Sequence, residues 1–190
     1  MKRLYLYIIL LLIFLSTSAW GATYTAYFAD DGTDDIVGTW DDTECTEGDP
    51  CNTLTEAQKV VDDLTSDDTV TLYFARGDTW TIDTGQNNIL TVDSSDPIVN
   101  IDAYGSGDRP IFDGEISDFT TVTESGTDGY YFYRLVFLFE RNNCSIKNIE
   151  IKRIYGTAIR LGIKRGRRTR IWLRGLVGGI VKGIQDLRLN

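Results

Sequence analysis

The chain has 190 residues, 28 acidic and 19 basic side chains, a net charge of −9, and no histidine. Serine–histidine–aspartate hydrolysis, histidine-based zinc sites and histidine general bases are therefore excluded, while carboxylate, lysine, arginine and tyrosine chemistry stays open. The charge is split, with 27 acids and 9 bases in residues 22–160 but 1 acid and 8 bases in residues 161–190; an acidic body suits a protein that holds cations and argues against nucleic acid as a partner.

Lys2 and Arg3 precede an apolar run from Leu4 to Leu15, and the small and polar stretch STSAWGA follows. A positive start, a short apolar run and a small-residue exit predict a secretory signal peptide over residues 1–21, too short for a comfortable membrane span. The preferred cut falls after Gly21 and the second choice after Ala19, with an uncleaved anchor as the competing reading. The expected location is secreted, periplasmic or at the cell surface, without stable membrane insertion once the leader is gone. About 170 residues remain, the size of one domain.

Residues 22–68 read as an N-terminal strand, a loop and a helix. Tyr24–Phe28 alternates and is rich in β-formers, which predicts a strand. The loop after it clusters Asp30, Asp31, Asp34 and Asp35 around Gly32. Clustered carboxylates suit calcium, although the spacing lacks the glutamate and the alternating ligands of an EF-hand loop; solvated loop acids are the alternative, and the same two readings apply to Asp41, Asp42, Glu44 and Asp49. Cys45 and Cys51 bracket the turn-rich TEGDP and are expected to bridge in an oxidising compartment, with two free thiols as the alternative. Closing so small a loop stabilises a fold by about 2 kcal/mol in the chain-entropy picture. Leu54, Ala57, Val60, Val61 and Leu64 then fall at helical spacing behind a Thr53–Glu56 capping box.

Residues 69–161 read as short strands cornered by Gly, Asp and Asn: Thr69–Ala75, Trp80–Ile82, Ile89–Val92, Ile98–Ala103 and Ile111–Phe112. Tyr130–Phe139 follows as a buried strand or strand pair. Next, Cys144, Ile146 and Asn148 alternate before the phase shifts to Ile149 and Ile151. That shift predicts two strands meeting at an asparagine bend, its side chain turned inward to bond the backbone of the next coil. Strands this short need neighbours above and below, which is the logic of a solenoid. Cys144 is expected to be a buried thiol.

The segments YTAYFADDGTDD, PCNTLTEAQKVVDDL and DDTVTLYFARGDTW, followed by DPIVNIDAYGSGDRPIFDG with its Gly105 and Gly107, resemble the N-terminal cap and first coils of pectate-lyase-like proteins. NNCSIKNIEIKRIYGTAIRL resembles a coil carrying an asparagine-ladder position at Asn148. The resemblance implies an all-β, right-handed parallel β-helix with a short N-terminal capping helix, exported, and acting on or binding polysaccharide. Full-length relatives of that kind are polysaccharide lyases or glycoside hydrolases, and the lyases use calcium beside an arginine or lysine base. No catalytic residues are assigned here. Asp102, Asp113 and Arg109 lie close together but read as a corner salt bridge, while Trp40, Trp80, Tyr104 and Tyr130 offer sugar-stacking faces or simple packing.

Past Leu161 acids nearly vanish and the corner rhythm is lost, so residues 162–190 read as an aberrant basic tail, out of frame or from a truncated gene. The protein then stands as an N-terminal fragment lacking an active site. A non-enzymatic adhesin or carbohydrate-binding solenoid, and a non-functional remnant, are the rival readings. For the tail itself the alternatives are a nucleic-acid patch in KRGRRTR and a membrane-surface helix built on Leu173, Val177, Ile180, Ile184 and Leu187. Expressed with its leader in an exporting host, the protein should be recovered with Ala22 at its N-terminus, and intact mass spectrometry of the medium or periplasm checks this.

Overall fold

The computed structural model describes residues 21–82, 90–114, 137–153, 159–161 and 181–188. Among them are ten strands and one helix: β1 (Thr23–Phe28), α1 (Leu54–Asp62), β2 (Thr69–Ala75), β3 (Thr79–Thr81), β4 (Leu90–Val92), β5 (Ile98–Tyr104), β6 (Ile111–Asp113), β7 (Phe137–Phe139), β8 (Ser145–Lys152), β9 (Ile159–Leu161) and β10 (Val181–Arg188). The described residues contain no helix long and apolar enough to cross a membrane.

Nearly all the pairing is parallel. One path runs β1-β2-β5-β8 and continues through β6 to β3, and a second sheet runs β4-β7-β9. β8 serves both arms of the first path. Ser145 and Ile146 pair with β5, whereas Glu150, Ile151 and Lys152 pair with β6. The switch occurs at Asn148, whose φ of 54° lies in the left-handed region that asparagine tolerates better than most residues. In the layers before it the same corner is turned by Gly77 (φ 95°) and by Gly105 and Gly107 (φ 77° and 114°). Backbone bonds tie these corners together, from Arg76 N–H to Tyr104 O (3.0 Å) and from Gly77 N–H to Asp108 O (3.0 Å).

The alternation seen in sequence fixes which face is buried. Ala26, Leu72, Ile101 and Ile146 occupy successive register positions and are 0–1 % exposed. Trp80, Phe112 and Ile151 form a second buried row, and Leu90, Phe137 and Ile159 a third. Aromatic contacts join the rows: Phe74 meets Phe112 edge-on at 5.0 Å, and Phe112 meets Phe137 edge-on at 5.2 Å, across the two sheets. Aliphatics and rings on one parity of β1 to β9 thus share a single core.

α1 begins as expected, with Thr53 accepting the Glu56 N–H and the Glu56 carboxylate accepting the Thr53 N–H. Leu54, Ala57, Val60 and Val61 face the core. Gln58 makes an additional link, because its amide donates to Thr91 O (3.0 Å) and accepts from Thr91 N–H (2.7 Å), pairing the edge of β4 as a strand would.

Two expectations need correction. Asn148 donates to the Asp102 side chain (2.8 Å) rather than to a backbone carbonyl, since Asp102 stands on the neighbouring strand within reach of the bend. Asp113 does not pair with Arg109. Its carboxylate, 3 % exposed, takes both ends of the Arg153 guanidinium (2.6 and 2.5 Å) and lies 3.6 Å from Lys152 Nζ. The rival helical reading of the tail also fails over residues 181–188, where β10 runs antiparallel along β8 with a register shift between Val181 and Ile184, while Leu173, Val177 and Ile180 lie outside the described residues. Of the Tyr130–Phe139 segment, only Phe137–Phe139 falls within the described residues.

Arg141 fastens a second corner. From the turn before β8, its guanidinium donates to Ser66 O (2.5 Å) in the turn before β2 and to Ser94 O (3.3 Å) and Asp96 O in the turn before β5. One side chain therefore satisfies carbonyls of two earlier layers. Arg141→Ala should lower stability by about 2–3 kcal/mol, the scale of charged hydrogen bonds lost from a partly buried site. A urea midpoint reduced at unchanged slope checks it, and Arg141→Lys should recover only part of the loss.

Candidate functional site

The four loop aspartates do not converge. Asp34 turns away and accepts the Cys45 N–H (2.5 Å), and Asp35 is exposed elsewhere in the loop. Asp34 also lies near both cysteine sulfurs, but Cys45 and Cys51 are joined in a disulfide and offer no thiolate to a metal. Asp30 and Asp31 instead meet Asp78, with one carboxylate oxygen of each lying within 4.8 Å of the others. Asp78 comes from the turn between β2 and β3 and has no neighbour in the sequence motif. Three carboxylates supply only part of the six to eight oxygens calcium takes, so backbone or water oxygens would complete such a site. Two of the three already have structural work: Asp78 accepts the Asp30 N–H (2.9 Å), and Asp30 accepts the Thr79 N–H (3.5 Å) on β3.

Of the other loop acids, Asp42 is exposed, and Asp41, Glu44 and Asp49 bond the backbone or hydroxyls nearby. Asp41 accepts from the Thr43 N–H and hydroxyl, Glu44 from the Val37 and Asp41 N–H groups, and Asp49 from the Thr33 hydroxyl. Trp40 is buried against Tyr24, and Trp80 is buried in the core against Phe112, so neither presents a face outward. Tyr130 lies outside the described residues. Cys144 is buried, accepts the Val99 N–H at 3.4 Å, and has its thiol pKa pushed up by that burial.

Tyr104, by contrast, belongs to a cluster on the outer face of β1, β2 and β5. Tyr27 and Tyr73 are register partners whose rings stack at 5.2 Å and 20°. Tyr104, paired in register with the small Ala75, reaches across it to meet Tyr27 edge-on at 5.1 Å. All three are half-buried. Tyr27 and Tyr73 escaped attention in the sequence because Phe28 and Phe74, adjacent to them, carried the core signal. Their opposite parity was the available sign that they face outward.

The cluster is electrically distinctive. Burial raises the Tyr104 pKa, and so do the negative charges of Asp78, Glu47 and Asp31, with Tyr27 adding to them. Tyr73 is raised by burial, then by Tyr27 and Asp102. The Tyr73 and Tyr104 phenols thus stay protonated into alkaline conditions and keep their O–H donors. Three fixed rings with polar tips form an amphipathic platform able to stack against a flat apolar surface and to hydrogen-bond at its rim.

Comparison with known proteins matches the chain to no family model, no curated protein and no solved structure.

Two aspartates near these elements should respond to pH with opposite sign. Asp68 accepts from the Thr65 N–H and hydroxyl, and from the Ala22 N–H, which hold its pKa below the usual value. It therefore adds stability above the ordinary carboxylate pKa and loses it as pH falls through the depressed value. Asp78 is raised, chiefly by burial, so its contribution is greatest below the ordinary pKa and is lost as pH rises through the raised one. Asp68→Asn should lower the Tm at neutral pH and Asp78→Asn should raise it, with both differences shrinking toward pH 3 when Tm is followed by circular dichroism.

Proposed function

We propose that this protein is an exported right-handed parallel β-helix that binds polysaccharide through the tyrosine face of β1, β2 and β5. The observation carrying the reading is that face: three half-buried rings, Tyr27 in contact with both Tyr73 and Tyr104, fixed by strand register on the side of the sheet opposite the core. Pyranose rings present apolar C–H faces that stack on aromatic rings, while their hydroxyls match the phenolic tips.

The β-helix reading is supported by parallel pairing that repeats through three successive rows with shared corners, and right-handed crossovers are the rule for parallel connections. Export is supported by the Cys45–Cys51 bridge, which belongs to oxidising compartments. Binding is favoured over turnover because Asp113 and Asp102, the carboxylates grouped with Arg109 in the sequence, are engaged in holding corners, Asp113 by Arg153 and Asp102 by Asn148.

In a pull-down on insoluble and immobilised polysaccharides, the purified chain should be retained on at least one without releasing product. Tyr73→Ala should weaken retention about tenfold, in line with roughly 0.5–1.5 kcal/mol for each aromatic contact removed. Product release would replace binding with catalysis, and retention on none of the polymers would end the glycan reading.

A further inference from the structure

Building on the glycan-binding reading, we infer that the tyrosine face selects sugars bearing free amines, so that the chain recognised is an amino-sugar polymer rather than a uronate or neutral one. The inference starts from what surrounds the rings. Asp102 follows Tyr73 on the adjacent strand as its register partner. Asp78 lies in the turn leaving β2, bonded to the backbone of Asp30, and its carboxylate clusters with those of Asp30 and Asp31. Glu47 stands exposed in the disulfide-closed loop whose Cys45 and Cys51 bond both backbone groups of Tyr27. The platform is thus bordered by carboxylates from four stretches of chain, with Asp78, Glu47 and Asp31 close enough for their charges to act on Tyr104 and Asp102 on Tyr73.

Bases in the same corners do not balance them. Arg76 directs its guanidinium to Gly107 O (3.4 Å), and Arg109 stands half-buried in the turn before β6. Lys147 continues the Tyr73–Asp102 register on β8, so three bases, Arg76, Arg109 and Lys147, stand against five acids, Asp30, Asp31, Glu47, Asp78 and Asp102. A polyuronate would bring further negative charge onto this border. A neutral chain would stack on the rings but bring no positive charge to the carboxylates. An ammonium group on the sugar gains twice, from the carboxylates at the rim and from the electron-rich ring faces, where cations are favoured. Charge complementarity of this kind decides between ligands that otherwise stack equally well.

The test compares three soluble tetrasaccharides by calorimetry with the full mature protein at mildly acidic pH and low salt: β-1,4-glucosamine, its N-acetylated counterpart, and β-1,4-glucuronate. The glucosamine chain should bind on the order of tenfold more tightly than the acetylated one, with the margin shrinking as salt is raised, and the glucuronate chain should bind more weakly than either. Asp31→Asn combined with Glu47→Gln changes two exposed side chains and should bring the first two affinities to within about threefold. Tyr73→Ala should weaken both the glucosamine and the acetylated chains. Equal affinities, or uronate binding that appears with calcium and vanishes with chelator, would overturn the amine preference while leaving glycan binding intact. Glucosamine binding that survives Tyr73→Ala undiminished would mark simple polycation adsorption and also overturn it. Failure of all three sugars to bind would remove the glycan reading itself.

Discussion

A stack of parallel strands satisfies its backbone internally except at the first and last layers, where a row of N–H and C=O groups has no next strand to meet. Unpaired edges of this kind recruit other chains or leave polar groups stranded against the core. The first layer here is closed by three different devices. The disulfide loop bonds β1, with Tyr27 N–H donating to Cys45 O (2.7 Å) and Tyr27 O accepting from Cys51 N–H (3.0 Å). The Gln58 amide does the same for β4, and the Asp30 carboxylate takes the Thr79 N–H of β3. At the other end β10 lies antiparallel along β8. The acidic loop, the cysteines and the helix are therefore parts of one solution to one backbone problem, and their irregular sequence follows from that task.

Corners pose the second constraint, because a short strand must turn sharply without losing register with the layer before it. Glycines at positive φ and Asn148 supply the backbone freedom, and side chains lock the result. Arg141 binds carbonyls of two preceding turns, whereas Arg153 grips the buried carboxylate of Asp113. Buried ion pairs of the latter sort add little net stability over apolar packing, since desolvation offsets their attraction. Removing one partner, however, strands the other charge. Here the pair ties the end of β8 to the end of β6, while the tyrosines of the outer face are placed by the register of β1, β2 and β5.

Much of this was legible from the sequence because strand parity is a local signal. Val70, Leu72 and Phe74 announce a buried face within five residues, and Thr53 with Glu56 announces a helix start within four. The strands in the structure begin or end within a residue or so of those expected, as with Thr79–Thr81 against Trp80–Ile82. Contacts between layers were not legible. Asp78 meets Asp30 across 48 positions, and Arg141 meets Ser66 across 75, with nothing in either neighbourhood to name the partner. Residues 181–188 were illegible for a related reason: Ile184 and Leu187 also fit a helical period, offered there as an alternative, and only the edge of β8, distant in sequence, selects the strand.

The two faces of β1 and β2 carry the same chemistry to different ends. Inward, Phe28 stacks on Phe74 at 5.2 Å; outward, Tyr27 stacks on Tyr73 at the same spacing, one residue earlier on each strand. Both distances are set by parallel pairing, which places identical register positions side by side in consecutive layers. The inner pair gains by excluding water completely. The outer pair remains half-exposed and keeps two hydroxyls that the phenylalanines lack, at the cost of leaving ring surface wet. Nothing in the strand pairing requires tyrosine outside, since threonine holds the same face at Thr25 and Thr71. Rings held in place by the backbone ladder lose little further freedom when a flat ligand lands on them, so rigidity acquired in folding becomes affinity available for binding.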